Sequence, residues 1–136
     1  IDLSVVSKKV DLNILNKMHQ KKTGALLNCC IKFGAILNHA SEADLSILDF
    51  FANHIGLAYQ IQDDVLDVTA SDKVLGKRQN SDSIKNKPSY PSIIGLDESI
   101  KTYENLYQSS LDELPKLSVQ SEPLRSLTKR LMNRAF

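Results

Sequence analysis

"AYQIQDDVLDV", residues 58–68, sets Asp63, Asp64 and Asp67 inside a run that otherwise reads apolar. On a helix of 3.6 residues per turn, Asp63 and Asp67 share a face, about 40° apart, while Asp64 lies about 100° round. Gln60 precedes Asp63 by three residues and falls on the same side. Like charges four residues apart work against a helix, and aspartate is a poor helix former in any case. An isolated pair of this kind is ordinarily a solvated face. Here apolar residues crowd the cluster on both sides, and a bound cation would relieve the repulsion. Hard carboxylate oxygens, completed by waters and phosphate oxygens, suit Mg2+.

Outward from this stretch the pattern stays helical. Ser41 in "SEAD" (41–44) is placed as an N-cap with an acid three residues on, close to a capping box. From there Leu45, Leu48, Ala52, Ile55, Tyr59, Gln62 and Leu66 recur at helical spacing. This predicts one helix to about residue 69, the spine of a bundle. Upstream, Asp11 is an N-cap candidate before Leu12, Leu15 and Met18. "TGALLNCCIKFGAILNHA" follows and is too apolar for a surface helix, so a central position is expected. Downstream, residues 69–91 are polar and carry Gly76, Pro88 and Pro91, which reads as a long functional loop. Pro91 can open a short helix. Asp97 is the expected cap of a further helix with Ile100, Tyr103, Leu106, Tyr107 and Leu111 on one side, and a last helix begins near Pro123 with Leu124, Leu127 and Leu131. The four tyrosines read as packing residues.

A chain of 136 residues suits a single domain with a real core. Apolar residues at 42% and charged residues at 24% fit an ordinary globular protein, and a formal charge of +1 leaves no broad field for nucleic acid, so any electrostatic function is local. No apolar run reaches the ~18 residues of a membrane span. Cys29 and Cys30 are adjacent and diverge on a helix, which predicts reduced packing residues in a reducing, cytoplasmic compartment. The opening "IDLSVVSKKVDLNIL" has no initiator methionine and starts mid-phrase, the mark of a fragment or processed product.

Lys21 and Lys22 precede Thr23 and Gly24, Lys77 and Arg78 follow Gly76, and Lys85 and Lys87 lie further on. A lone lysine is usually a solvated charge. Beside an acidic metal cluster the set gains meaning, because Mg2+ with lysines is a means of neutralising a diphosphate. His19, His39 and His54 have no ligand spacing and read as surface or helix-side residues. There is no Gly-rich phosphate loop, nucleophile elbow or Cys/His zinc pattern.

Three segments together carry a resemblance. "GLAYQIQDDVLDV" resembles the second aspartate-rich motif of the trans-isoprenyl diphosphate synthases. "HQKKTGALL" (19–27) resembles their upstream Lys-Thr motif. "LGKRQNSDSIKNKPSYP" (75–91) resembles the segment that follows. Order and spacing agree as well, and "GKRQ" and "SYP" look most like the farnesyl diphosphate synthases (geranyltranstransferases) of bacteria.

The resemblance implies an all-α fold: residues 1–136 would be the C-terminal part of an isoprenoid-synthase bundle around a central cavity, usually a homodimer. It implies a Mg2+-dependent reaction joining an allylic diphosphate, dimethylallyl or geranyl, to isopentenyl diphosphate to give farnesyl diphosphate. By position, Asp63 would ligate Mg2+, with Asp64 and Asp67 supporting it. Lys22 and Lys77 would hold the allylic diphosphate, with Lys87 behind Lys77. Thr23 and Gln60 would line the site of the allylic cation, and Asp82 matches a supporting loop position. The family's first aspartate-rich motif has no counterpart in this sequence, so the chain alone is expected to be an incomplete, inactive part of the enzyme. The competing reading is a non-catalytic truncated paralogue that binds diphosphate and Mg2+ or partners a full-length synthase.

Overall fold

The structure is a computed structural model that describes residues 11–75 and 88–134. The described residues are all helical: α1 (Leu12–His19), a π-helical turn (Gln20–Gly24), α2 (Ala25–Leu37), α3 (Glu42–Leu75), α4 (Tyr90–Ile94), α5 (Leu96–Glu113), a 3-10 turn (Leu114–Lys116) and α6 (Glu122–Met132). Among them no helix is long and apolar enough to cross a membrane.

The caps explain most of the boundaries. Asp11 accepts from Ile14 N at 2.9 Å, and Ser41 Oγ accepts from Asp44 N at 3.1 Å. Each satisfies a backbone donor that the first turn leaves without a partner. Ser89 and Ser92 form a reciprocal capping box at α4, with Pro91 in its first turn. Two expectations need correction. Helix α3 continues to Leu75 rather than stopping near 69: no glycine or proline stands between Thr69 and Leu75 to end it, and the Thr69 hydroxyl is accommodated by bonding back to the carbonyls of Val65 and Leu66. Helix α5 is entered from Gly95 rather than from Asp97. With φ of 88°, Gly95 reverses the chain straight out of α4, and Asp97 falls in the first turn, where its charge suits the helix dipole.

With 34 residues, α3 is about 51 Å long and is the spine against which the rest packs. Helix α5 lies along it. Phe51, Ile55 and Ala58 of α3 meet Tyr107, Leu111 and Leu114 in one buried cluster, and Leu124 and Leu131 of α6 pack onto it. A second cluster joins Leu15 and Met18 of α1 to Ile61 and Tyr90. Helix α2 departs from its expected central place. Leu27 and Ile31 lie on the core, but none of its residues is buried, and Leu26, Phe33, Ile36 and Leu37 are exposed. Cys29 and Cys30 are likewise free and exposed rather than packed.

Candidate functional site

Helix α3 and the chain from α1 to α2 run antiparallel, and four contacts fix their register. His19 meets Asp64, Gly24 meets Gly56, Asn28 bonds both Asp49 and Asn53, and Lys32 pairs with Asp49. As residue number rises on one side it falls on the other. Lys22 and Thr23 therefore lie level with the turn of α3 that ends at Gln60. The backbone there is not an ordinary helix: residues 20–24 form a π-helical turn, a local departure that recurs at functional sites. Lys22 is exposed and Thr23 half-buried on that turn.

The aspartate-rich stretch divides its polar residues among different tasks. Asp64 points inward. It is buried, and its Oδ2 takes the His19 ring Nε2 at 3.0 Å and the Tyr90 backbone N–H at 3.0 Å. These bonds tie α1 and α4 to the spine, and the His19 ring stacks on Tyr90. The structure thus gives Asp64 packing partners on α1 and α4, about 100° round the helix from Asp63 as expected. The reading of His19 as a surface or helix-side residue needs correction: it is buried, with its Nδ1 unpartnered. Burial pushes the Tyr90 phenol up to about 12, opposed by its hydrogen bond to Asn16 and helped by the Asp64 carboxylate.

Asp63 and Asp67 face the other way. Asp67 is exposed, and Asp63 keeps about a third of its side chain open. Gln60 is buried, its Nε2 a long 3.4 Å from Asp63 Oδ2. Gln62 is a buried hub: Tyr107 Oη and Arg134 Nε both donate to its Oε1 at 2.9 Å, and its Nε2 donates to the Met132 carbonyl at 3.1 Å. The same Arg134 forms an ion pair with Asp63, donates to the Tyr59 carbonyl at 2.9 Å and lies 3.7 Å over the Tyr59 ring. Sequence reasoning missed Arg134. It follows Asp63 by 71 residues, and no local spacing announces such a contact.

The residues present fit a divalent cation only in part. Among the described residues no group of three or more His, Cys, Asp or Glu side chains could hold a metal ion. Two outward carboxylates remain, which is the arrangement in which Mg2+ keeps waters and takes phosphate oxygens for its other positions. Lys77, Asp82 and Lys87 lie outside the described residues.

Comparison with known proteins places the chain in a family. The sequence pattern of the polyprenyl synthetase family matches residues 1–119. The chain is 36% identical over 138 residues to the farnesyl diphosphate synthase of Escherichia coli K12, covering 98% of this chain and 46% of that one. It is 39% identical over 135 residues to the geranylgeranyl diphosphate synthase of Cyanophora paradoxa, covering 98% and 45%. It therefore spans a little under half the length of these relatives. Its fold matches a Helicobacter pylori geranyltransferase solved with magnesium and isoprenyl diphosphate, with a TM-score of 0.73 at 23% identity, covering 97% of this chain and 43% of that one. With seven-eighths of its length inside the family pattern, the chain belongs to the polyprenyl synthetase family.

Proposed function

We propose that the protein carrying this chain is a Mg2+-dependent prenyltransferase that condenses dimethylallyl or geranyl diphosphate with isopentenyl diphosphate to give farnesyl diphosphate. The observation that carries the reading is the register of α3. It sets Lys22 and Thr23, on a distorted turn, level with the turn that ends at Gln60, about one turn before the outward carboxylate Asp63 and about two before Asp67. The reaction needs an anionic leaving group clamped while an allylic cation forms, and cationic and metal-binding groups at that point lower the barrier.

In this reading Asp63 and Asp67 hold Mg2+, which when bound neutralises diphosphate charge as the leaving group departs. Lys22, with Lys77 and Lys87, binds the diphosphate oxygens. Thr23 and Gln60 line the place of the allylic cation with neutral dipoles, which stabilise positive charge without capturing it. Apolar helix surface keeps water from that cation. The protein would act as a homodimer in the cytoplasm.

The test is turnover of the full-length protein with isopentenyl diphosphate and each allylic diphosphate, with product length read by chromatography. Farnesyl diphosphate as the main product, lost on chelation and on Asp63→Asn, supports the reading. A geranylgeranyl product would overturn the chain length alone. A folded protein that binds diphosphate without turnover would replace the enzyme with a binding module.

A further inference from the structure

The guanidinium of Arg134 takes one of the two oxygens of the carboxylate that the proposed metal needs, Oδ1 of Asp63. Its side chain is four-fifths buried, and each of its contacts holds it in place: Gln62 through Nε, the Tyr59 carbonyl and ring, and Asp63 through Nη2. A planar fork over an aromatic face, paired with a carboxylate, is a geometry that lysine does not reproduce. Helix α6 delivers it: the chain leaves that helix at Met132, whose carbonyl is bonded by Gln62, and reaches Arg134 two residues later. A unit positive charge is thus built in beside Asp63, on the outward face that Asp67 shares.

We propose that Arg134 is a positioning residue of this site, an internal counter-ion that holds Asp63 in the metal-free protein and competes with the divalent cation for it. This rests on the metal-dependent reading above. Arg134 takes Oδ1 of Asp63 and leaves Oδ2 with only the long contact from Gln60, so a cation bound at Oδ2 would stand beside the guanidinium across one carboxylate, and the repulsion between them weakens the hold of each on Asp63. By linkage the coupling is reciprocal. Arg134 weakens cation binding by roughly tenfold, within the usual range of such couplings, and the cation loosens the end of α6 by the same factor.

The test uses the full-length protein with Mn2+ as probe, in the presence of inorganic diphosphate, reading the free-ion electron paramagnetic resonance signal. Arg134→Gln is expected to bind Mn2+ roughly tenfold more tightly, and Arg134→Lys to fall between it and the wild type. The gain is expected to vanish when Asp63→Asn is combined with Arg134→Gln. Equal or weaker binding in Arg134→Gln overturns the counter-ion role and leaves the prenyltransferase reading standing. No saturable Mn2+ binding in any form overturns both. Hydrogen exchange of wild-type residues 128–134 gives a second readout that needs no variant. Faster exchange on adding Mg2+ supports the coupling, and unchanged or slower exchange overturns it.

Discussion

Gly24 and Gly56 meet backbone to backbone: a Cβ built on Gly56 would lie 2.6 Å from the Cα of Gly24. Such a distance leaves no room for any side chain on α3 at that level. The contact holds the π-helical turn with Lys22 and Thr23 against the spine, one turn before Gln60. Gly56→Ala should cost about 1–3 kcal/mol through overpacking. It should also cut turnover at least roughly tenfold, since small displacements of positioning groups are expensive. The reverse change is milder. A Cβ on Gly24 meets only ordinary contacts, at 3.5 Å from the His19 carbonyl and 4.0 Å from the Gly56 Cα. Gly24→Ala should therefore stay within about 1 kcal/mol of the wild type and can gain from helix propensity. Thermal melts of the two single variants check the asymmetry, and equal losses would count against it.

That contrast shows what the sequence could and could not disclose. The aspartate cluster, the Lys-Thr pair and the long helix were legible, because each is a local pattern with a period or a charge conflict inside a few residues. The division of labour between Asp63 and Asp64 was only half legible. Helical geometry gives the 100° between them, but the partners that fix each one, Arg134 and His19, come from 71 and 45 residues away. The apolar character of α2 was visible too, yet apolarity alone does not say which covering surface lies within the same chain.

Neighbouring aspartates should respond in opposite ways to truncation. Asp64→Ala removes a buried acceptor and strands both the His19 ring nitrogen and the Tyr90 N–H. The expected cost is about 3 kcal/mol, the sum of a lost charged hydrogen bond and an unsatisfied buried donor. Asp63→Ala breaks a partly exposed pair with Arg134, worth under about 1 kcal/mol. Yet Asp63→Ala should abolish most Mg2+-dependent turnover. Urea unfolding of the metal-free protein beside activity assays separates the two. A larger stability loss at Asp63 than at Asp64 would sink the assignment.

Stability should fall on the alkaline side, and Tyr90 should be one cause. Its phenol is raised from 10.0 to about 12 by burial, so the folded state holds that proton more tightly than the unfolded chain. Its contribution is complete below pH 10 and is lost as pH rises through about 12. Burial raises Tyr107 as well, so the slope has more than one source. Tyr90→Phe should make the decline between these limits shallower, while costing about 1 kcal/mol at neutral pH for the lost bond to Asn16. Unfolding free energies measured across that range would show an unchanged slope if Tyr90 plays no part.

Helix α2 carries the last expectation. Leu26, Phe33, Ile36 and Leu37 stand 65%, 63%, 59% and 62% exposed, although the helix is among the most apolar stretches of the sequence. Leu26, Phe33 and Leu37 recur at seven and four residues, which gathers them on one side of the helix. Charged residues do not interrupt that side, while the one lysine of the helix, Lys32, turns to Asp49 on α3. A contiguous apolar face of this kind drives association when nothing covers it. Residues 1–136 expressed alone should therefore self-associate or bind a dye for exposed apolar surface, even though the α3–α5 core is intact. Leu26→Lys with Phe33→Lys should shift the same chain toward monomer without lowering its helix content, because neither side chain is buried. Light scattering and circular dichroism on the two chains decide the matter. A monodisperse wild-type monomer with one sharp unfolding transition would show that this face tolerates water, and the expectation fails.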